Sequence, residues 1–290
     1  MQKISRRQFL DRSALGLGTA LAAMNMPFNP GAGTIPGLGK IPLGFQVWTL
    51  REDLVKDFPG TLKKMSGYGY RTVEMCSPPG YESSGFAPLM NLKAGEMKKI
   101  IVDAGLIFES THYGMDELRK NLNARIDYAL ESGQKQMIVS SFGLPEKASV
   151  NDWMRAADEL NEIGLKTKAA GIQTGYHNHH MEFEKINGSL IYDMLLEIFD
   201  PQSVKMQFQV AVISIGYKAT DYFNKYPGRF ISAHLADWSP KIKNSVALGK
   251  GIVDWKELLG AAGRAGVKNV FVEMEPDTFK ASAEYYNKSL

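Results

Sequence analysis

The feature that most constrains this chain is an alternation, repeated eight times beyond residue 40, between a short apolar run and a longer amphipathic one. The apolar runs at 43–48, 70–75, 106–111, 136–140, 170–176, 204–210, 230–235 and 269–272 are predicted strands. Segments 54–66, 94–103, 115–132, 150–167, 190–199, 219–226, 255–264 and 278–287 are predicted helices. In the fourth of these, Trp153, Ala156, Ala157, Leu160 and Gly164 recur every three or four residues, while Asp152, Arg155, Asp158, Glu159 and Glu162 supply the polar faces. A helix patterned in this way covers a buried parallel strand on one side and meets water on the other.

Eight strand-then-helix units of about thirty residues each predict a single (β/α)8 TIM barrel over residues 40–290, an α/β fold whose parallel strands are buried by their helices. The rival architecture is an open doubly wound sheet. It fits less well, because the first strand has no GxGxxG phosphate loop after it and eight units exceed what such a sheet uses. Barrel closure has a functional consequence: side chains at the carboxyl ends of strands far apart in sequence converge on one mouth.

Ahead of the barrel, Ser5-Arg6-Arg7-Gln8-Phe9-Leu10 places paired arginines before a small, apolar run at 14–24, and Ala20-Leu21-Ala22 offers a cleavage site. Residues 1–26 are therefore expected to be a twin-arginine signal region, with the twin-arginine export machinery as partner and the periplasm as destination. The Pro- and Gly-rich stretch 27–39 is expected to be a flexible linker. Four of the 34 basic and one of the 31 acidic residues fall within positions 1–33, leaving 30 of each in the remainder. That balance leaves no basic field for nucleic acid or an anionic membrane surface. Cys76 is the single cysteine, which excludes an intrachain disulfide and a cysteine-cluster metal site.

Polar residues at or just beyond the predicted strand ends are the candidates for chemistry. The densest group is Tyr176-His177-Asn178-His179-His180-Met181-Glu182-Phe183-Glu184, three of the five histidines beside two carboxylates, which points to an enzyme. Glu74 and His112 end strands two and three, Gln209 lies near the end of strand six, His234 and Asp237 near strand seven, and Glu273 after strand eight. Glu182, His234 and Glu273 make an oxygen, nitrogen, oxygen set for a divalent ion of the Mn, Mg, Co or Zn class. Glu182 and Glu273 are the candidate catalytic pair, one removing and one returning a proton through an enediolate. His177 and His179, two apart on an extended segment, face the same way and are assigned to substrate oxygens, with His180 opposed. His112 is assigned with them, and Trp48 and Trp238 are candidate sugar-stacking faces. Against each assignment stands a plain structural use: a core histidine, a solvated carboxylate, a tryptophan that closes the core.

Taken together, Gly175-Tyr176-His177-Asn178-His179-His180-Met181-Glu182-Phe183, His234-Leu235-Ala236-Asp237, Gly249-Lys250-Gly251-Ile252-Val253-Asp254-Trp255 and Val272-Glu273 resemble the xylose-isomerase-like TIM barrels, in particular the sugar phosphate isomerase/epimerase family. The resemblance implies one divalent metal held by a glutamate after strand five, an aspartate at strand six, a histidine at strand seven and a glutamate at strand eight. Glu182, His234 and Glu273 match three of these positions, and Gln209 stands at the fourth in place of the aspartate. Glutamine offers a carbonyl oxygen but no charge, so it holds a hard cation less strongly. The expected activity is that of a metal-dependent sugar or ketosugar isomerase or epimerase acting on a small carbohydrate. The alternatives are an inosose-dehydratase-like lyase and a carbohydrate-binding barrel that has lost turnover through Gln209. The resemblance leaves self-association into a homo-oligomer open.

Overall fold

A computed structural model of the chain describes residues 41–290. The expected signal region 1–26 and linker 27–39 lie outside the described residues. Eight parallel strands form the predicted barrel: β1 (Leu43–Gln46), β2 (Thr72–Cys76), β3 (Ile107–Gly114), β4 (Gln136–Ser141), β5 (Gln173–His177), β6 (Val204–Gln209), β7 (Phe230–Leu235) and β8 (Asn269–Val272). Each strand pairs with its sequence neighbours, and β1 closes the ring by pairing with both β2 and β8.

Eight principal helices surround it: α1 (Phe58–Tyr68), α2 (Ala94–Asp103), α3 (Met115–Ser132), α4 (Val150–Ala169), α5 (Ile191–Ile198), α6 (Ala219–Lys225), α7 (Trp255–Ala265) and α8 (Phe279–Ser289). The face of α4 predicted to be apolar is the buried one, with Trp153, Ala156, Ala157, Leu160 and Gly164 against the barrel. Ser149 caps its first turn, with its side chain accepting from Asp152 N–H and the Asp152 carboxylate accepting in return from Ser149 N–H.

The differences from the predicted elements have local causes. The first predicted helix starts late, because Asp57 breaks it from a preceding helical segment, Arg51–Lys56, and then caps α1 by accepting from Gly60 N–H at 2.9 Å. Trp48 leaves β1 in a 3-10 turn, Trp48–Leu50, and Val210 leaves β6 in another, Val210–Ile215. The loop after β2 is long and carries two 3-10 segments, Pro78–Ser84 and Ala87–Leu89. A small hairpin, Asp237–Ser239 with Asn244–Val246, follows β7.

An apolar shell between strands and helices holds the barrel, and its lower interior mixes Phe271 and Ile138 with buried polar groups such as Thr72, Gln136 and Asn269. In the interior, Gly44 lies in register between Thr72 and Phe271, and a methyl group there would overlap both the Thr72 hydroxyl and the Phe271 ring. Gly44→Ala is accordingly expected to lower stability by about 1–3 kcal/mol through overpacking, read as a shift of the denaturant midpoint. An unchanged midpoint would mean that the strand β1 shifts without cost.

Candidate active site

Alternation along each strand decides which side chains enter the barrel. On β2 it turns Glu74 inward, on β3 Ser110 and His112, on β6 Gln207 and Gln209, and on β7 Ser232 and His234. The registers Glu74 with Ser110, Cys76 with His112, Gln207 with Ser232 and Gln209 with His234 stack these side chains in two tiers below the mouth. β5 adds His177, and Glu273 stands one residue past the end of β8.

His234 is the centre of the cluster. Its Nε2 lies 2.5 Å from Glu74 Oε1 and its Nδ1 2.8 Å from Glu273 Oε2, so one wholly buried imidazole bridges two carboxylates. Burial alone would push the His234 imidazolium down, but Glu273 and Glu74 more than offset it and raise its pKa to about 9. Burial pushes the Glu74 and Glu273 carboxyls up. The imidazoles beside them, His112 and His234 for Glu74 and chiefly His234 for Glu273, outweigh that and hold both below the usual carboxylate range.

The lower tier fixes Glu74. Its Oε2 accepts from Ser110 Oγ at 2.6 Å and from Gln207 Nε2 at 2.9 Å. Gln207 Nε2 also donates to Ser232 Oγ at 2.9 Å, which turns its carbonyl oxygen toward His112 Nε2 at 2.7 Å. Since that amide oxygen can only accept, His112 donates from Nε2, which is also 3.0 Å from Glu74 Oε1.

The upper tier is looser. Glu273, with 17% of its side chain exposed, opens to the mouth, and its Oε2 accepts from Gln209 Nε2 at 2.7 Å as well as from His234. Gln209, at the position of the expected metal-binding aspartate, is thus a neutral donor to Glu273, with its own oxygen accepting from Ala211 N–H at 3.2 Å. His177 packs 4.4 Å, ring to ring, from His234 and 5.0 Å from His112. Burial first, then the neighbouring imidazoles, push His177 well below the usual histidine range, and its buried Nδ1 has no hydrogen-bond partner. His112, His177 and His234 each bring a ring nitrogen within 4.8 Å of the other two, a group able to coordinate a metal ion.

Glu182 lies elsewhere. Its two oxygens accept from Tyr176 O–H and from His179 N–H, both at 2.7 Å. Tyr176 points to the opposite side of β5 from His177 and packs against Phe142 and Phe199 in the shell between strands and helices. The turn after β5 therefore carries Glu182 behind the strand rather than to the axis, and the carboxylate beside His234 opposite Glu273 is Glu74. The expectation that Glu182 and Glu273 flank one metal and one substrate meets a different geometry here, because the short 3-10 turn Met181–Phe183 folds back on the barrel wall.

Of the expected substrate-binding residues, His112 and His177 join the cluster, and the His179 ring stands edge-on to His177 at 4.8 Å. Trp48 lies at the rim over β1, stacked on Phe86 with Tyr81 edge-on and the Arg51 guanidinium 4.9 Å from its ring. Trp238 is half-buried on the hairpin after β7. His180 is exposed and pairs with Ser214. Ser110, Gln207 and Ser232 were not among the sequence candidates, although each lies two residues before one on the same strand, and period-two alternation alone would have found them.

Asp237 organises the loop that follows β7. Its carboxylate accepts from the backbone N–H groups of Trp238, Gly249, Gly251 and Val253 and from the Trp255 indole N–H, at 2.9–3.2 Å. Asp237→Ala is expected to strip five donors of one buried acceptor and cost about 3 kcal/mol or more, with amide exchange of residues 249–253 rising most. Unchanged protection of those amides would count against the anchor.

The family model of the xylose isomerase-like TIM barrel matches residues 62–290. An inosose dehydratase of Lacticaseibacillus casei is 26% identical over 155 residues, 47% of this chain and 51% of that protein, so the chain spans about half the length of the curated relatives it matches. Two crystal structures of sugar phosphate isomerase/epimerases from Parabacteroides distasonis superpose with TM-scores of 0.73 and 0.70, at 22% and 25% identity. They cover 89% and 87% of this chain and 97% and 99% of those proteins. An L-ribulose 3-epimerase superposes with a TM-score of 0.61 at 14% identity, over 84% of this chain and 91% of its own. With the closed eight-stranded barrel and the matched family model, this chain belongs to the xylose isomerase-like TIM barrel family.

Proposed function

We propose that the barrel mouth moves a proton on a small carbohydrate, as a divalent-metal-dependent sugar or ketosugar isomerase or epimerase working through an enediolate. The observation that carries this reading is His234 fixed between Glu74 and Glu273 with two further imidazoles beside it. The donors suit a divalent cation: the unpartnered nitrogen of neutral His177, the His112 and His234 imidazoles, and two carboxylates whose charge a proton on His234 only half balances. His112, His177 and His234 would hold the ion, His234 only after giving up the proton it shares with Glu273, and Glu273 and Gln209 lie beside them. When bound, an ion of the Mn, Mg, Co or Zn class acts as a Lewis acid toward vicinal substrate oxygens and eases the charge that develops on the carbonyl.

The chain's own groups supply the proton chemistry. Glu273 removes the proton on the carbon next to the carbonyl and, as the carboxylic acid so formed, returns it to the enediolate at the neighbouring carbon in isomerisation. In epimerisation, water on the opposite face delivers the proton and takes one back from Glu273. Both of its hydrogen bonds fall on Oε2, which keeps it ionised and oriented. Glu74 is too deeply enclosed to touch substrate and acts by fixing His234 and His112. His179 and the rim residues Trp48 and Trp238 contact the hydroxyls and the face of the sugar. Glu182 holds the turn that presents His177 and His179. Export through the twin-arginine route, carried by residues 5–10, would place this chemistry in the periplasm.

The matched inosose dehydratase favours a second reading, in which loss of a β-hydroxyl follows the same proton abstraction. Incubation of the metal-replete protein with a panel of sugars, ketosugars and inososes in deuterated water separates the two. An isomerase or epimerase returns a product of substrate composition with deuterium at the exchanged carbon, and a lyase returns one that has lost water. Ligand binding with neither exchange nor elimination would overturn both and leave a carbohydrate-binding barrel.

A further inference from the structure

Outside the barrel wall lies a cavity of about 230 Å³, partly open to solvent and lined by the outer faces of β2 and β3, the long loop 77–93, and helices α2 and α3. It is separate from the mouth. Met75 and Thr111 form its floor, and these residues alternate with Glu74 and Cys76 on β2 and with Ser110 and His112 on β3, so the floor is the reverse side of the strands that carry the cluster. Leu92, Met97 and Phe108 line much of the remainder.

Two lining hydroxyls are unanswered. Thr111 is only 3% exposed and its Oγ1 has no hydrogen-bond partner, nor has the buried O–H of Tyr128. A buried hydroxyl without a partner costs about 1–3 kcal/mol, so two facing one cavity call for a polar atom between them. The one guanidinium in the lining, Arg125, has its charge met by Glu117, whose Oε1 lies 2.8 Å from Nε. The other cation of the lining, Lys93, is exposed to solvent, so an ionised ligand has no buried counter-charge to claim. A cavity of about 150 Å³ lined by aliphatic side chains is known to admit benzene, and this one is larger.

We propose that the cavity is a second ligand site, taking a small neutral molecule with an apolar ring-sized body and one hydroxyl head that bonds Thr111 and Tyr128. The proposal stands independently of the reaction at the mouth. Phenol is the probe, benzene the control without a head group, and calorimetric titration of the intact protein, with diffraction from soaked crystals, the readout. Phenol is expected to bind at one saturable site, about tenfold tighter than benzene, and to slow amide exchange over residues 77–92. Thr111→Val and Tyr128→Phe, which leave the volume nearly unchanged and touch no group of the mouth, should remove that preference while benzene affinity stays. Crystals showing only ordered water in the cavity at saturating phenol, phenol bound only elsewhere, or equal affinity for the two probes would overturn it.

Discussion

His234→Ala is expected to abolish turnover, by about 10²–10⁴-fold or more, and to destabilise the protein by about 3–5 kcal/mol. Both effects follow from its two bonds. The side chain is wholly buried, and Glu74 Oε1 and Glu273 Oε2 lie on either side of it at 2.5 and 2.8 Å. Removing it leaves the enclosed Glu74 and the partly exposed Glu273 facing one void without the cation they share, and the cost of stripping Glu74 of its partner exceeds what the intact pair contributes. Loss of the imidazole also takes away one nitrogen of the three-histidine group. Denaturant unfolding and metal content, measured on the same preparation, check both halves. The variant should hold far less than one equivalent of metal. A destabilisation below about 1 kcal/mol with metal retained would show that His234 is a bystander.

The metal-free protein is expected to be most stable in a narrow window of near-neutral pH. His234 has its pKa raised from 6.5 to about 9 in the folded state, so its contribution is complete below about 6.5 and is lost as pH rises through about 9. A difference of that size corresponds to about 3 kcal/mol. Glu74 and Glu273 have theirs lowered from 4.5, so their contribution is present above that value and falls away as they are protonated on further acidification. His177 and His179, whose pKa values burial lowers, add to the acid limb below about 6.5, so the denaturant midpoint of chelator-treated protein should peak at about pH 6.5–7 and decline on both sides. His234→Ala should remove the alkaline limb. An alkaline limb that persists in the variant would assign it to another group.

The fold was legible because barrel closure needs what a sequence displays directly: eight apolar runs short enough for strands, each followed by a helix with one apolar face. The breaks that were missed lie where a single side chain acts locally, as Asp57 does in capping α1, and no periodicity reports such an event. The site was legible where alternation governs, since His112, Gln209, His234 and Glu273 meet at the mouth by strand register. It was less so where the chain turns. Glu182 is five residues beyond β5, and its side chain is set by a bond to Tyr176 O–H that only the folded turn creates. Glu74 takes its place beside His234 because a carboxylate inside the strand, unlike one in a loop, has its direction fixed by the pleat. Gln209 keeps its inward direction while changing its chemistry, donating to Glu273 where an aspartate would repel it.

The central claim is that the buried histidines and carboxylates of the mouth form a metal centre. Anomalous diffraction from crystals grown with manganese or zinc tests it most directly. The account predicts one strong peak within coordination distance of His234, with His177 or His112 as a second nitrogen ligand and Glu273 turned toward it. Crystals saturated with metal that show no anomalous density at His234, with its two carboxylate bonds unchanged, would contradict it.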